Sequence, residues 1–285
     1  VAMCDDDLFG FPFEPESTVA MDSLNDYLGV RSDLSEVAAG VIKMDVSEKR
    51  RGKLSEIVNE ILRTKALASG IASSLFGKAR FMLSPCYGAL GKACLQPIMA
   101  REHQPGVSEI TPDLRDSLEF IDFCTERLPP VRMAVLPSQL EPVIIFTDAE
   151  GKKRRRNRAP SGHLGFVTIH PVFGRRHASA KVPDGFTQLL ERVRRMQQYI
   201  GQYEMLAAIT PFLSVPAEWL KDRPVELWID NSGAIGALLK GYSGKPDCAR
   251  IVNMFHFVVA RAGGSAHLIP RDILVPSRSS PPRHG

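Results

Sequence analysis

Apolar and polar residues divide the chain into two regions with different predicted secondary structure. In the first region, alternation over residues 39–46 predicts a short strand, and apolar residues at helical spacing follow it. The predicted helices cover residues 47–67, 68–83 and 111–128. The last of them starts with Thr111 and Pro112, a typical N-cap and first helical residue. The first region is therefore expected to be mostly helical after a short β-containing start.

Short apolar runs that end in polar residues or glycine predict buried strands in the second region. These strands are expected at residues 142–151, 162–173, 176–182, 224–230 and 265–270. Helical periodicity is found over residues 184–213 (with a break near Gly201), 231–241 and 246–263. The order is three strands, helix, strand, helix, helix, strand, which fits an α/β fold: a mixed sheet with flanking helices.

Composition limits the class of protein. The chain has 285 residues, 44% hydrophobic and 24% charged, which is typical of a globular protein. No apolar stretch approaches the roughly 20 residues that span a bilayer, so an integral membrane protein is not expected. The five cysteines include no C-x-x-C pair, which favours a reducing compartment. We therefore expect an intracellular location, cytoplasmic or nuclear, and no membrane partner.

The net charge of +4 conceals an asymmetry along the chain. Residues 1–128 carry 14 Lys/Arg and 20 Asp/Glu, a balance of −6, whereas residues 129–285 carry 22 and 12, a balance of +10. The basic part suggests a polyanionic partner, and a solvated surface without a partner is the alternative. Four prolines in residues 127–142 indicate a connector, so a domain boundary is expected near residues 130–140.

Three acidic residues occupy positions where α/β folds commonly bind ligands. Asp148 and Asp230 each end a predicted buried strand, and such strand ends converge at one edge of a sheet. Glu204 lies near the start of an apolar helix. Carboxylates held close together repel each other, and a divalent cation such as Mg²⁺ removes that repulsion. For each residue alone, a turn, a cap or an exposed helix position is the simpler interpretation.

The segments VIIFTDAEG, YIGQYEMLAAI and VELWIDNSGAIGALLKG resemble the first three acidic motifs of a type-1 ribonuclease H (RNase H) domain. They resemble more closely the form found at the end of retroelement reverse transcriptases, in particular the tyrosine-recombinase type of algae and other protists. In that family a strand ends in T-D, a glutamate follows in an E-x-x-A context, and a second strand ends in Asp before a short helix. Thr147-Asp148, Glu204 with Ala207, and Asp230-Asn231-Ser232 match those positions.

The first region also resembles such a reverse transcriptase. The segments DYLGVRSD, GVIKMDVSEKRRGKLSEIVNEIL and ASSLFGKARFMLSPCYGALGKACLQPI are similar to its palm end, thumb and connection. MCDDDLFG, with Asp5, Asp6 and Asp7, resembles a degenerate polymerase Y-x-D-D turn. The resemblance implies a palm remnant at residues 1–45, a helical thumb and connection at 46–130, and an RNase H-like domain at 131–285. It also implies upstream polymerase fingers and palm as a partner.

The activity implied by the resemblance is hydrolysis of the RNA strand of an RNA–DNA hybrid, with two Mg²⁺ or Mn²⁺ ions. Asp148 would bridge the ions, and Glu204 and Asp230 would hold one each. The family ends with a V-P-S-x-x-N-x-A-D loop whose Asp is a fourth acid. This chain reads AHLIPRDILVPSRSSPPRHG instead, so either Asp272 takes the fourth catalytic position in a shortened loop or that position is lost.

A basic run between the first two predicted strands of the second region is a candidate nucleic-acid contact. Six of its seven residues are cationic: Lys152, Lys153, Arg154, Arg155, Arg156 and Arg158. It can grip phosphates, act as a nuclear address, or be a solvated hairpin tip. For the whole chain, the alternatives to an active ribonuclease are a catalytically decayed nucleic-acid-binding fragment of a retrotransposon and a related α/β nuclease or integrase.

Overall fold

The computed structural model of the chain describes residues 23–27, 29–135, 140–156, 159–221, 223–262 and 266–270. The candidate residues Asp5–Asp7, Arg158 and Asp272 lie outside these ranges. Within them, two β-sheets and a set of α-helices form the fold. None of the helices in the described ranges has both the length and the apolar character needed to cross a membrane.

A small antiparallel sheet lies in the first region. Its strands, in pairing order, are β1 (Leu24–Tyr27), β2 (Val30–Asp33), β3 (Val41–Val46) and β4 (Val131–Ala134). β3 is the strand predicted by the alternating pattern, and a 3₁₀ helix at Val37–Ala39 precedes it. β4 comes from the proline-rich segment 127–142 and pairs with β3. This segment therefore completes the first sheet before the chain enters the second.

The helices between β3 and β4 are α1 (Glu48–Thr64), α2 (Ser69–Tyr87), α3 (Lys92–Glu102) and α4 (Pro112–Arg127). α1 packs against α4, and α2 packs against α3. Leu54, Val58 and Ile61 share one face of α1 and are buried in the core, as expected for an amphipathic helix. α4 begins as predicted, because Thr111 Oγ1 accepts a hydrogen bond from the N–H of Leu114.

The second sheet has five strands in the order β7-β6-β5-β8-β9. They are β5 (Val143–Lys152), β6 (Ser161–His170), β7 (Gly174–Lys181), β8 (Val225–Ile229) and β9 (Ala266–Pro270). β6 is antiparallel to β5 and β7, whereas β8 is parallel to β5 and β9. In the first seven residues of β5, Val143, Ile145, Thr147 and Ala149 are buried and the residues between them are more exposed.

Helices flank this sheet. They are α5 (Asp184–Val193), α6 (Ile200–Ser214), α7 (Ala217–Leu220), α8 (Ser232–Lys240) and α9 (Pro246–Arg261). α6 lies against β5 and β6, and α9 packs on α6. The helical segment predicted over 184–213 is interrupted between Val193 and Ile200, just before Gly201. The mixed sheet with flanking helices confirms the predicted α/β fold class.

Candidate metal centre

Strand pairing brings two of the predicted acids to the same edge of the second sheet. Phe146 of β5 is paired with Trp228 of the parallel strand β8. Asp148 and Asp230 each lie two residues beyond these partners, so they are at the same level along the two strands. Both are exposed to solvent. The sequence prediction that two strand ends converge here is therefore correct.

α6 supplies the third carboxylate. Glu204 lies in the second turn of this helix and is 3% exposed. One carboxylate oxygen from each of Asp148, Glu204 and Asp230 lies within 4.8 Å of the other two. The cluster therefore combines one buried carboxyl group with two that face solvent.

The buried carboxyl group has a strongly perturbed pKa. Burial raises the pKa of Glu204 to about 7, and the negative charges of Asp230 and Asp148 act in the same direction. A hydrogen bond from the backbone N–H of Ala149 opposes that rise. Glu204 Oε2 is buried and has no hydrogen-bond partner among the described residues. An orphaned carboxylate oxygen beside two like charges is costly unless a cation compensates it.

These residues fit a divalent cation. Carboxylate oxygens are the ligands that hard cations such as Mg²⁺ prefer. Twice a Mg²⁺–oxygen bond of roughly 2.1 Å is about 4.2 Å, which is the largest separation of two ligand oxygens around one ion. The oxygens of the three carboxylates lie within 4.8 Å of one another, slightly more than this separation, so small side-chain rotations of the exposed Asp148 and Asp230 would bring them to bonding distance of one ion. The orphaned Oε2 of Glu204 is a natural ligand atom for such an ion.

Neighbouring contacts hold the two strand ends in place. Thr147 Oγ1 donates a hydrogen bond to the carbonyl oxygen of Trp228 at 3.4 Å, which joins β5 to β8 beside the acids. Phe146 and Trp228 are stacked with their ring centroids 5.9 Å apart. Asn231 caps α8, because its Oδ1 accepts the N–H of Ala234 at 2.9 Å. Asp230 is thus positioned between a strand end and a capped helix start.

The structure places most of the predicted basic run at the end of β5. Lys152, Lys153, Arg155 and Arg156 are exposed, and Arg154 is half-buried in an ion pair with Glu191 at the end of α5. Arg158 and Asp272 lie outside the described residues, so their roles stay predictions.

The sequence patterns did not single out a second group of basic residues. They are Arg192 in the last turn of α5 and Arg194 and Arg195 in the segment that joins α5 to α6, and all three are exposed. Their signal in the sequence was the run ERVRR, which falls within the predicted helical segment 184–213, before its expected break near Gly201.

Comparisons with known proteins give only distant similarities. No protein-family model matches the chain, and no curated protein sequence matches it. The RNase H1 of the halophilic archaeon Halobacterium salinarum NRC-1 is 16% identical over 47% of this chain and 89% of its own, with a TM-score of 0.31. LC11-RNase H1, solved in complex with an RNA/DNA hybrid, is 15% identical over 46% of this chain and 87% of its own, with a TM-score of 0.33.

A longer but weaker similarity involves the first region as well. The foamy viral protease–reverse transcriptase dRH, solved in complex with double-stranded DNA, is 9% identical over 86% of this chain and 38% of its own, with a TM-score of 0.29. The second sheet itself, with three antiparallel strands followed by two parallel ones, is a mixed sheet, as the order of predicted elements implied. This strand order and the carboxylate cluster are the basis of the functional proposal, not these distant similarities.

Proposed function

We propose that this protein is a ribonuclease H-type endonuclease that hydrolyses the RNA strand of RNA–DNA hybrids. The observation that carries the proposal is the cluster of Asp148, Glu204 and Asp230 at one edge of a mixed sheet. Three acids widely separated in the sequence meet there, and one of them is a buried carboxyl group with an orphaned oxygen. Structural ion pairs do not require such an arrangement, whereas a metal-dependent hydrolase does.

Each acid has a distinct proposed role. Two Mg²⁺ or Mn²⁺ ions bound here would activate a water molecule and stabilise the leaving oxygen of the phosphodiester. Asp148 lies on β5, which contacts both α6 and β8, and is proposed as the ligand shared by both ions. Glu204 would hold one ion from the buried side and Asp230 the other from the solvent side. Asp272 is proposed as the fourth catalytic acid.

Substrate recognition is proposed to depend on shape and on the sugar-phosphate backbone. An RNA–DNA hybrid is distinguished by groove shape and 2′-hydroxyl groups rather than by base sequence. Asp148 and Asp230 face solvent, which leaves the cluster accessible to a duplex. The basic run from Lys152 to Arg156, together with Arg158, is proposed to contact phosphates.

The resemblance of the motifs supports a proposed origin. We infer that the chain is the C-terminal part of a retroelement reverse transcriptase, of the tyrosine-recombinase type, acting inside the cell. Residues 1–45 would be a palm remnant with Asp5–Asp7 as a degenerate polymerase motif, 46–130 the thumb and connection, and 131–285 the RNase H-like domain. Its natural partners would be the hybrid and the upstream polymerase part of the same element.

The first prediction tests the activity directly. The purified 285-residue chain should cleave the labelled RNA strand of a hybrid when Mg²⁺ or Mn²⁺ is present and should not cleave it in EDTA. Asp148→Asn removes a ligand charge at nearly constant shape, so we expect at least about a thousandfold lower turnover, roughly 4 kcal/mol of transition-state stabilisation. Circular dichroism and thermal unfolding should show that the variant is folded.

Glu150→Gln is the matched control. Glu150 lies two residues beyond Asp148 on the same strand, is exposed, and is outside the carboxylate cluster. This variant should cleave at the parent rate. If Asp148→Asn cleaves as fast as the parent, the assignment of the metal centre is wrong. If the parent binds hybrid without cleaving it in any divalent cation, the decayed nucleic-acid-binding fragment is the better description.

A further inference from the structure

The basic run Lys152–Arg156 and the arginines Arg192, Arg194 and Arg195, which precede α6, form one surface. The two segments are about 40 residues apart in the sequence. The N–H of Arg154 donates a hydrogen bond to the carbonyl oxygen of Gln197 at 2.8 Å. The Arg154 guanidinium also pairs with Glu191. We call the surface formed by Lys152–Arg156 together with Arg192, Arg194 and Arg195 the basic platform. Part of it is a shallow depression of about 370 Å³, which both segments line.

The platform carries a large excess of positive charge. It has eight cationic side chains, and seven of them are exposed. Two acids lie next to these cations in the described structure: Glu191 pairs with Arg154, and Glu150 lies 3.9 Å from Lys152. Eight like charges on one surface repel one another and are favoured by a bound polyanion.

The connection that carries Arg194 and Arg195, directly after Arg192 at the end of α5, is anchored. Tyr199 is fully buried, and its hydroxyl donates to the carbonyl oxygen of Arg194 at 2.7 Å and accepts the N–H of Met196 at 2.9 Å. On the other side, Gly151 of β5 lies against Ile200 at the start of α6, so close that a Cβ at Gly151 would be 3.4 Å from the Ile200 side chain. Arginines held by a rigid backbone lose less freedom when they bind a phosphate.

The basic platform and the carboxylate cluster are connected through the same two elements, β5 and α6. β5 contains Asp148 and Lys152, and α6, which follows the arginine segment, contains Glu204. Lys152 is four residue steps beyond Asp148, about 13 Å at about 3.3 Å per residue, and Arg154 is at most about 20 Å away. The side of the platform formed by Lys152 to Arg154 therefore lies within about 13–20 Å of Asp148.

We propose that the basic platform binds the phosphate backbone of a nucleic-acid duplex several base pairs to one side of the carboxylate cluster. The position of the cut rests on the function proposed above, whereas the binding of the duplex by the platform does not. At about 3.4 Å per base pair, a separation of about 13–20 Å corresponds to about four to six base pairs. The hybrid must extend this far beyond the scissile phosphate for the platform to contact it.

A binding experiment tests the platform independently of catalysis. The labelled hybrid is titrated with the full chain in EDTA at several salt concentrations, and fluorescence anisotropy gives the dissociation constants. The triple variant Arg192→Gln, Arg194→Gln, Arg195→Gln should bind more weakly, and its log–log salt dependence should be shallower by about 1 for each phosphate that is no longer neutralised. The five-residue change of Lys152–Arg156 to Ser should have the same kind of effect.

A matched control removes three charges elsewhere. Lys221, Lys240 and Arg261 are exposed cations of the second region that lie outside the platform. Changing them to Gln should leave the salt dependence of binding unchanged. The platform proposal is overturned if the Arg192, Arg194 and Arg195 variant binds with the parent's affinity and salt slope, or if the slope of the control variant falls by as much.

A mapping experiment tests the distance. The cleavage positions are mapped on hybrids with blunt ends, for the parent and for the arginine variant at saturating protein. The parent should leave about four to six base pairs uncut at one end, the length set by the platform's distance from the cluster, and the variant should cut closer to that end. Cutting by the parent up to both ends would refute the proposed distance. A parent that does not cut at all refutes the proposed function, and the anisotropy experiment still decides whether the platform binds the duplex.

Discussion

Glu204 is a carboxyl group in surroundings that disfavour its charged form. It is buried in an apolar helix with an oxygen that no described residue hydrogen-bonds, while Asp148 and Asp230 add negative charge beside it. These conditions raise its pKa to about 7. In an unfolded chain the carboxyl group would titrate near its ordinary pKa of 4.5. The metal-free folded protein therefore holds this proton more tightly than the unfolded chain does.

That difference predicts how the stability of the metal-free protein depends on pH. The contribution of Glu204 is most favourable below about pH 4.5 and is lost as the pH rises to about 7, because the folded state then has to ionise a buried group. The loss is up to about 3 kcal/mol. Urea unfolding in EDTA between about pH 5 and 8 should show this fall for the parent. Glu204→Gln, which cannot ionise, should show a smaller dependence on pH.

Divalent cations provide the complementary observation. Mg²⁺ should raise the unfolding midpoint of the parent at about pH 8, because it binds the folded state and compensates the three charges. It should have little effect on Glu204→Gln. Parallel pH curves for the two proteins, with no response of either to Mg²⁺, would contradict the proposed role of Glu204.

At the scale of secondary-structure elements, the position of α6 on the sheet decides where Glu204 lies. The ring of Tyr203, which is fully buried, packs directly on Gly162 of β6, and its hydroxyl is 3.1 Å from the hydroxyl oxygen of Thr187 in α5. A Cβ atom at Gly162 would be 2.5 Å from the Tyr203 ring and 3.1 Å from the carbonyl oxygen of Glu150. The absence of a side chain at Gly162 allows α6 to approach the sheet.

Gly162→Ala should therefore push α6 away from the sheet. Overpacking of this kind typically costs about 1–3 kcal/mol, and we expect that decrease in the free energy of unfolding in urea denaturation. Hybrid cleavage should fall as well, because Glu204 follows Tyr203 directly. Gly165→Ala is a control on the same strand, since a Cβ there meets only the carbonyl oxygen of Ala178 at 3.9 Å. Equal stability of the two variants would show that this contact does not position α6.

At the scale of the whole molecule, the two regions are joined but differ in charge. α3 contacts α9, and Asp116 of α4 forms an ion pair with Arg250 of α9. The first region is acidic overall and the second is basic, and the basic surface that we propose for nucleic acid lies in the second region, which contains the five-stranded sheet. The helices of the first region are tied to it through a partly polar contact.

We expect no DNA polymerase activity from this chain alone. A polymerase site needs carboxylates from two separate motifs, and in this chain only Asp5–Asp7 resembles one of them. Primer extension on an RNA or DNA template, with the purified chain and Mg²⁺, should therefore give no product, while hybrid cleavage is measured in parallel as a positive control. Extension of the primer by the 285-residue chain would refute this prediction.

The sequence by itself was sufficient for features that depend on neighbouring residues. The start of α4 at Thr111 and the strand β5, predicted from a short apolar run at residues 142–151, are local patterns, since both depend on residues a few positions apart. The positions of Asp148 and Asp230 at strand ends were predicted for the same reason. β1, β2 and β4 were not predicted, because they are four-residue strands whose pairing partners, not their own composition, make them strands. α3 was not predicted either, since it contains Pro97.

The features that depend on contacts between distant segments were decided by the tertiary structure. Parallel pairing of β5 with β8 puts Asp148 level with Asp230, and the packing of α6 brings Glu204 to them and raises its pKa. The hydrogen bond between Arg154 and Gln197 joins two basic segments that the sequence shows as separate. The sequence placed Asp148 and Asp230 at strand ends, but distances, burial and electrostatic coupling depend on how distant segments pack, which local patterns do not specify.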